Sequence, residues 1–504
     1  MIELDGHRLT IDQVYAVACH GEEVGLSDQG KQQIQSSHQR LKKIIETGEP
    51  VYGINTGFGI FADRKIPKGD IARLSRNLIL SHAVGTGPAL SEAAVRAAML
   101  VRANTLTKGY SGVRIAVVQT ILDMLNRNVT PVVPEQGSLG SSGDLCPLSH
   151  LALVFTTDDN DRDEDSGQAF FNGQLLSGKK AMEAAEIQRI RLGAKEGLAL
   201  NNGATFSAAI AALNVMDAEH LLAMAEISLS MSLEAMLGCS SAFDPRLHEI
   251  RGHQGQIEVA KNVLNIIHGS TLVDSGCRVQ DAYSLRCAPQ VQGAARETLS
   301  FVRKVIETEI NAATDNPLIF EPQTAISGGN FHGEPIGMVM DFLGIALAEI
   351  AAISERRIFR LTDGKLNSGL PPMLVDSPEE AGLNSGLMMP QYTAASLVLE
   401  NQTLASPDSV HSLPTSAEQE DHNANSMTAA RHARQILENT RHVVTVELYS
   451  AARALDLRKR ESPDRRMGEG TQQMYHKIRA VVPYQAGDAW WGPEIQKVKD
   501  LIFL

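Results

Sequence analysis

Along residues 196–504, apolar side chains return every three or four positions, with Ala, Leu, Met and Glu dominating. That spacing lines one face of a helix or, where the run is unbroken, surrounds a buried one. It predicts helices over 207–231, 296–311, 337–360 and 426–457, each longer than an average globular helix. The first 195 residues are mixed, with shorter apolar runs and strand-like segments such as 49–54. The expected fold is therefore mainly α: a smaller mixed N-terminal region, 1–195, followed by a long-helix bundle, 196–504. Turn chemistry marks loops at 131–137, 158–166, 327–330 and 369–372, and none has the composition of a flexible linker.

Two apolar stretches, 206–239 and 336–353, are long enough to suggest a membrane. Asn214, Asp217, Glu219, His220 and Glu226 interrupt the first, and Asp341 and Glu349 the second. Such groups are costly in hydrocarbon and ordinary in a soluble bundle, so no membrane span is expected. A net charge of −13 over 504 residues leaves no electrostatic footprint for nucleic acid. Cys19, Cys146, Cys239, Cys277 and Cys287 are widely spaced and form no Cys-x-x-Cys pair. This argues against a disulfide framework or zinc knuckle and fits a reducing cytoplasm. Met1-Ile2-Glu3-Leu4-Asp5 has neither a basic leader nor an apolar core, so no secretory signal is expected. His248 and His253 are five apart with Gly252 between, which takes them off a common helix face, and no metal is expected. Gly57-Phe58-Gly59-Ile60-Phe61-Ala62 fits a loose dinucleotide fingerprint but lacks a surrounding βαβ pattern.

The most informative segment is Gly137-Ser138-Leu139-Gly140-Ser141-Ser142-Gly143-Asp144-Leu145, where glycines and serines crowd between apolar runs. It reads as a Gly/Ser loop or as something chemical. A serine-hydrolase elbow fails on spacing, because Asp144 stands where Gly-x-Ser-x-Gly needs glycine. Beside the plain loop, a third reading is cyclisation. The Gly143 amide nitrogen attacks the Ser141 carbonyl carbon, and loss of two waters leaves Ser142 as an exocyclic methylidene. Glycine suits the attacking position because a side chain would obstruct the approach; Ser142 supplies the departing hydroxyl, and Asp144 can assist by proton transfer.

With this tripeptide, the chain resembles the MIO-dependent aromatic amino acid ammonia-lyase family, its histidine-specific members above all. The resemblance runs nearly the whole length. It includes Val51-Tyr52-Gly53-Ile54-Asn55-Thr56-Gly57-Phe58-Gly59, Leu80-Ser81-His82-Ala83, Glu196-Gly197-Leu198-Ala199-Leu200-Asn201-Asn202-Gly203, Tyr283-Ser284-Leu285-Arg286-Cys287, Gly328-Gly329-Asn330-Phe331-His332-Gly333 and Gln419-Glu420-Asp421-His422. One departure is Ser141, where the family usually has alanine; the ring uses only that residue's backbone carbonyl, so the extra hydroxyl is tolerable.

The resemblance implies a fumarase/aspartase-like helical fold and a 4-methylidene-imidazol-5-one (MIO) electrophile made from Ser141, Ser142 and Gly143. It further implies a homotetramer whose sites combine segments of more than one subunit. Elimination needs a base for a weakly acidic β-proton and an electrophile for a poor leaving group. By resemblance Tyr52 is the base, and its phenol, ordinarily near pKa ~10, must be shifted down to serve near neutrality. Asn202 steadies charge at the MIO carbonyl oxygen, and Tyr283 joins the catalytic group. Arg286 clamps the substrate carboxylate; Gln280 and Phe331 line the pocket. Whether the electrophile engages the substrate amine or its ring stays open.

Substrate choice turns on what meets the ring. Ser81-His82 resembles the histidine-specific arrangement, and Glu420 the carboxylate facing an imidazole N–H. Histidine, giving trans-urocanate, is thus the expected substrate. Ser-His is also similar to some tyrosine-specific members, and the spacing from Glu420 to Ser426-Met427 is two residues longer than usual, so that anchoring there would put His422 in the Glu420 place. The alternatives are tyrosine or phenylalanine, a 2,3-aminomutase sharing the same groups, or a non-catalytic homologue, which has no need of Ser142, Gly143, Tyr52 and Arg286 together.

Overall fold

A computed structural model describes residues 1–503 except 58, 62 and 277, together with all their side chains but that of residue 60. Phe58 and Ala62 of the glycine-rich segment, and Cys277, therefore lie outside the described residues. Helix dominates: 18 α-helices stand against eleven strands, none longer than four residues, among the described residues. The mainly α expectation holds.

The four long helices are Thr205–Ala235, Ala288–Glu309, Glu334–Thr362 and Ser426–Glu461. The second begins earlier than periodicity suggested because Pro289 falls in its first turn, where a missing N–H costs nothing. Segment 49–54 is not a strand. Asn55 closes it into a turn, with Oδ1 accepting from Val51 N at 2.7 Å and Nδ2 donating to Glu49 O at 2.8 Å, and Gly53 adopts φ 70°.

The chain's contacts fall into two compact units. The first comprises Met1–Met216, Val302–Asp341 and Pro407–Arg431; the second comprises Asp217–Phe301, Phe342–Ser406 and His432–Leu504. The division at 195/196 drawn from the sequence pattern falls inside the first unit.

In the first unit, helix Glu92–Thr107 starts at Ser91, whose hydroxyl accepts from Ala94 N, and is buried on every side from Ala94 to Thr107. Helix Ile71–His82 packs on Leu145–Phe155 and on Glu196–Asn201. Part of the expected loop at 131–137 is paired: Pro134–Gln136 runs antiparallel to Thr86–Ala89. The acidic loop at 158–166 is tied to its own fold, Asp161 bonding Arg189 at 2.5 Å and Lys179 at 3.1 Å.

The second unit is organised around a buried carboxylate. Glu447, fully buried, accepts from Arg357 Nε at 2.5 Å and Nη2 at 2.7 Å, and from the hydroxyls of Ser228, Ser232 and Ser354 at 2.9, 2.6 and 2.6 Å. A desolvated charge persists only with such a full set of donors, and the set fixes the register of the helices that bring them. Helices Thr205–Ala235 and Glu334–Thr362 have the length and apolarity of membrane spans, but 72% and 61% of their most apolar windows are buried within the protein. They are core helices.

Candidate active site

Glycines shape the segment before helix Leu145–Phe155. Gly140 and Gly143 adopt φ 73° and 75°, and a Cβ on Gly143 would lie 2.1 Å from the Gly203 carbonyl carbon. No other residue fits there. This closeness lets Gly203 N–H donate to Ser142 O at 3.2 Å while Asp144 N–H donates to Gly203 O at 2.9 Å. Asn202 Nδ2 donates to the same Ser142 oxygen at 3.0 Å. Ser142 thus presents its carbonyl oxygen to two fixed donors, the arrangement that stabilises developing negative charge.

On the other side stands Glu420. Its Oε2 accepts from Ser141 Oγ and its Oε1 from Ser142 Oγ, both at 2.7 Å. The carboxylate is held by a turn in which Thr415 and Glu420 exchange backbone hydrogen bonds across Ser416, Ala417 and Glu418, all at positive φ. Three consecutive non-glycine residues in that region store backbone strain. Behind the tripeptide, Asp144 is wholly buried and accepts from Ser138 Oγ at 2.8 Å and from Ser207 N and Oγ at 2.8 and 2.9 Å. Burial pushes its carboxyl above the usual range against those hydrogen bonds, so it keeps a proton to higher pH than an ordinary aspartate.

These groups open onto a cavity of about 1300 Å³ whose lining includes Tyr52, His82, Ser141, Ser142, Asn202, Phe331 and Glu420. Seven of the residues expected from sequence therefore converge, and Gly143 shapes the tripeptide beside them. His422 also lines the cavity, but its ring stacks on His332 at 5.8 Å, whereas Glu420 meets the tripeptide directly. His82 ends helix Ile71–His82, with Nδ1 3.0 Å from Ser81 Oγ; burial lowers its pKa, with Glu420 opposing.

Tyr52 runs against the requirement read from sequence. Burial raises its phenol pKa, the Glu420 carboxylate adds to the rise, and only the Gly59 backbone opposes it. A nearby cation lowers it, and among the described residues the lining supplies Arg64 as its only Arg or Lys side chain.

Gln280, Tyr283 and Arg286 are not in this lining; they belong to the second unit. Gln280 is exposed and Tyr283 is 70% exposed. Tyr283 and Arg286, three residues apart, share a face, the guanidinium lying 4.6 Å above the phenol ring. Arg102, whose Nη2 donates to the Asn202 carbonyl oxygen at 2.7 Å, was not among the residues expected from sequence. Its signal was available: a lone charge in Ala97-Ala98-Met99-Leu100-Val101-Arg102-Ala103, a helix with no polar face to carry it.

The profile of the family described as aromatic amino acid lyase matches residues 9–480. A histidine ammonia-lyase of Caldanaerobacter subterraneus subsp. tengcongensis is 49% identical over 484 residues, covering 95% of this chain and 92% of its own. Among solved structures, histidine ammonia-lyase from Trypanosoma cruzi superposes with a TM-score of 0.90 at 37% identity, covering 99% of this chain and 93% of its own. Tyrosine aminomutase from Streptomyces globisporus does so with a TM-score of 0.92 at 34% identity, covering 100% and 96%.

Proposed function

The chain belongs to the aromatic amino acid lyase family, a family of carbon–nitrogen lyases, and from that premise we propose that it eliminates ammonia from L-histidine to give trans-urocanate. The observation that carries the proposal is the pairing at Ser142: a carbonyl oxygen held by Asn202 and Gly203, and a hydroxyl held by Glu420. Relatives 46–49% identical along nearly the whole chain are named histidine ammonia-lyases. Glu420 suits that substrate, since a carboxylate pairs with an imidazole N–H and gains nothing from a phenyl ring.

Residues 141–143 fit an MIO group. Cyclisation consumes the Ser141 carbonyl oxygen and the Ser142 hydroxyl and keeps the Ser142 carbonyl oxygen, the atom that Asn202 and Gly203 hold. The two donors acidify the Ser142 α-hydrogen, Glu420 bonds the hydroxyl that leaves, and Gly143 has no side chain to block the approach. When formed, the group supplies an electrophilic methylidene conjugated to that carbonyl. Around it Tyr52 takes the β-proton, Glu420 and His82 hold the substrate ring, Phe331 packs against it, and Asn202 steadies charge. Gln280, Tyr283 and Arg286 complete the site from a second copy of the chain in a homotetramer, Arg286 gripping the substrate carboxylate and adding a second cation to the cavity beside Arg64. A cytoplasmic location fits the four described cysteines, all free.

The test is incubation of the purified protein with L-histidine, L-tyrosine and L-phenylalanine separately, following urocanate, coumarate and cinnamate by absorbance. Urocanate should form fastest. Coumarate or cinnamate in its place, or a β-amino acid as the accumulating product, would transfer the assignment to the other substrates or to an aminomutase.

A further inference from the structure

Arg102 lies in the middle of helix Glu92–Thr107 and is fully buried. Nη2 donates to the carbonyl oxygen of Asn202 at 2.7 Å, while Nε and Nη1 have no hydrogen-bond partner among the described residues. A guanidinium is seldom buried with most of its donors unused, because desolvation is costly and only hydrogen bonds and opposite charges offset it. The charges that favour its protonated form are Asp315 and Asp144, and the Lys195 ammonium opposes them. Lys195 is itself spent on Asp315, at 2.5 Å, both fully buried. Even with burial pulling the guanidinium down to about 10, Arg102 stays charged at neutral pH.

What the cation touches gives it a use. The Asn202 carbonyl and the Gly203 N–H are the two ends of one peptide group, and that N–H donates to Ser142 O at 3.2 Å. A peptide is a resonant unit: positive charge on its oxygen draws electrons from its nitrogen and makes its N–H a stronger donor. We infer that Arg102 is a positioning residue that strengthens the Gly203 N–H bond to the Ser142 carbonyl oxygen, acting through the Asn202–Gly203 peptide. Charge reaches that oxygen when the Ser142 α-hydrogen is removed during dehydration, and the same oxygen would bear charge when the group, once formed, acts as an electrophile. Arg102 therefore serves both the making of the electrophile and its use. Asn202 Nδ2, the other donor, is neutral, and the Oδ1 of the same amide has no hydrogen-bond partner among the described residues. The inference rests on the proposed reading of residues 141–143 as the source of the electrophile.

The experiment compares full-length wild type, Arg102→Gln and Arg102→Lys. Intact mass reports the loss of two waters over time, the ultraviolet difference spectrum reports the conjugated ring, and steady-state kinetics with L-histidine separate kcat from KM. Glutamine keeps a neutral donor and removes the charge. It should form the ring more slowly, move its absorption band to shorter wavelength and lower kcat on the order of 100-fold with KM little changed, the scale of losing one oxyanion donor. Lysine keeps the charge on a shorter stem and should lose only about tenfold, with a smaller band shift. A folded Arg102→Gln chain with wild-type ring formation, band position and kcat overturns the inference, as does a loss confined to KM. Where the glutamine chain fails to fold, the lysine chain decides: an unshifted band with unchanged kcat overturns it, and a shifted band with lowered kcat supports it. A wild-type chain without the ring would sink the reading of the site itself; a wild type with the ring beside an indifferent Arg102→Gln sinks only the role of Arg102.

Discussion

Glu420 has a serine hydroxyl 2.7 Å from each of its carboxylate oxygens, and ring formation removes only one of those hydroxyls. Ser141 Oγ, buried at 5% exposure, remains to orient the carboxylate once Ser142 Oγ has gone. Replacing Ser141 by alanine should leave the mass signature of the ring intact and lower kcat/KM for histidine about fivefold, the scale of one hydrogen bond of ~1 kcal/mol. Turnover of phenylalanine, which offers Glu420 no N–H, should not change. Ser142→Ala should remove the water that carries away the Ser142 hydroxyl, so that the loss of two waters is never seen, and reduce kcat by at least roughly 1000-fold, since no electrophile remains. At this scale the tripeptide was legible because its chemistry needs particular residue types side by side. Two matters were not. The choice between Glu420 and His422 depended on a two-residue difference in spacing, and only the turn at Thr415–Glu420 resolves which side chain meets Ser142. The Tyr52 pKa depends on burial and on neighbouring charge, neither of which is written in the residues around it.

Helix Leu145–Phe155 carries, about two turns beyond the tripeptide, a histidine whose protonation the fold opposes. His150 Nε2 accepts from Gly85 N at 3.0 Å, so that nitrogen must be unprotonated, and burial lowers its pKa. The unfolded chain therefore binds more protons than the folded one between the folded pKa and the ordinary value near ~6.5, and stability rises with pH across that window. His82, His220, His248 and His442 are lowered in the same direction. The urea midpoint should fall between pH 7.5 and 5.5, and His150→Gln, which cannot gain a proton, should show a shallower fall. An equal slope in wild type and variant would contradict the role given to Gly85 and His150. The long helices were legible from periodicity alone, since burial on one face or on all of them leaves a pattern. The turn at 49–55 was not, because Val51, Tyr52 and Ile54 read as a strand, while one side chain, Asn55, bonds the backbone on both sides of them.

For the whole molecule, the chain divides its chemistry between two units. The first holds the tripeptide, Tyr52, Asn202 and Glu420; the second holds Gln280, Tyr283 and Arg286, the last two stacked on each other. No periodicity reveals such a division, because segments distant in sequence join the same unit: 302–341 and 407–431 return to the first. If a second copy supplies Arg286 to the cavity, the two halves of the machinery can be damaged in different chains. Tyr52→Phe and Arg286→Ala should each be nearly inactive alone while still losing two waters at residues 141–143. Co-expressed, they should assemble some sites with an intact Tyr52 from one chain and an intact Arg286 from another, and urocanate formation should reappear at a fraction of the wild-type rate. Sites within a single chain predict no recovery at any mixing ratio. The measurement thus separates the shared site from a self-contained one, whichever aromatic amino acid proves to be the substrate.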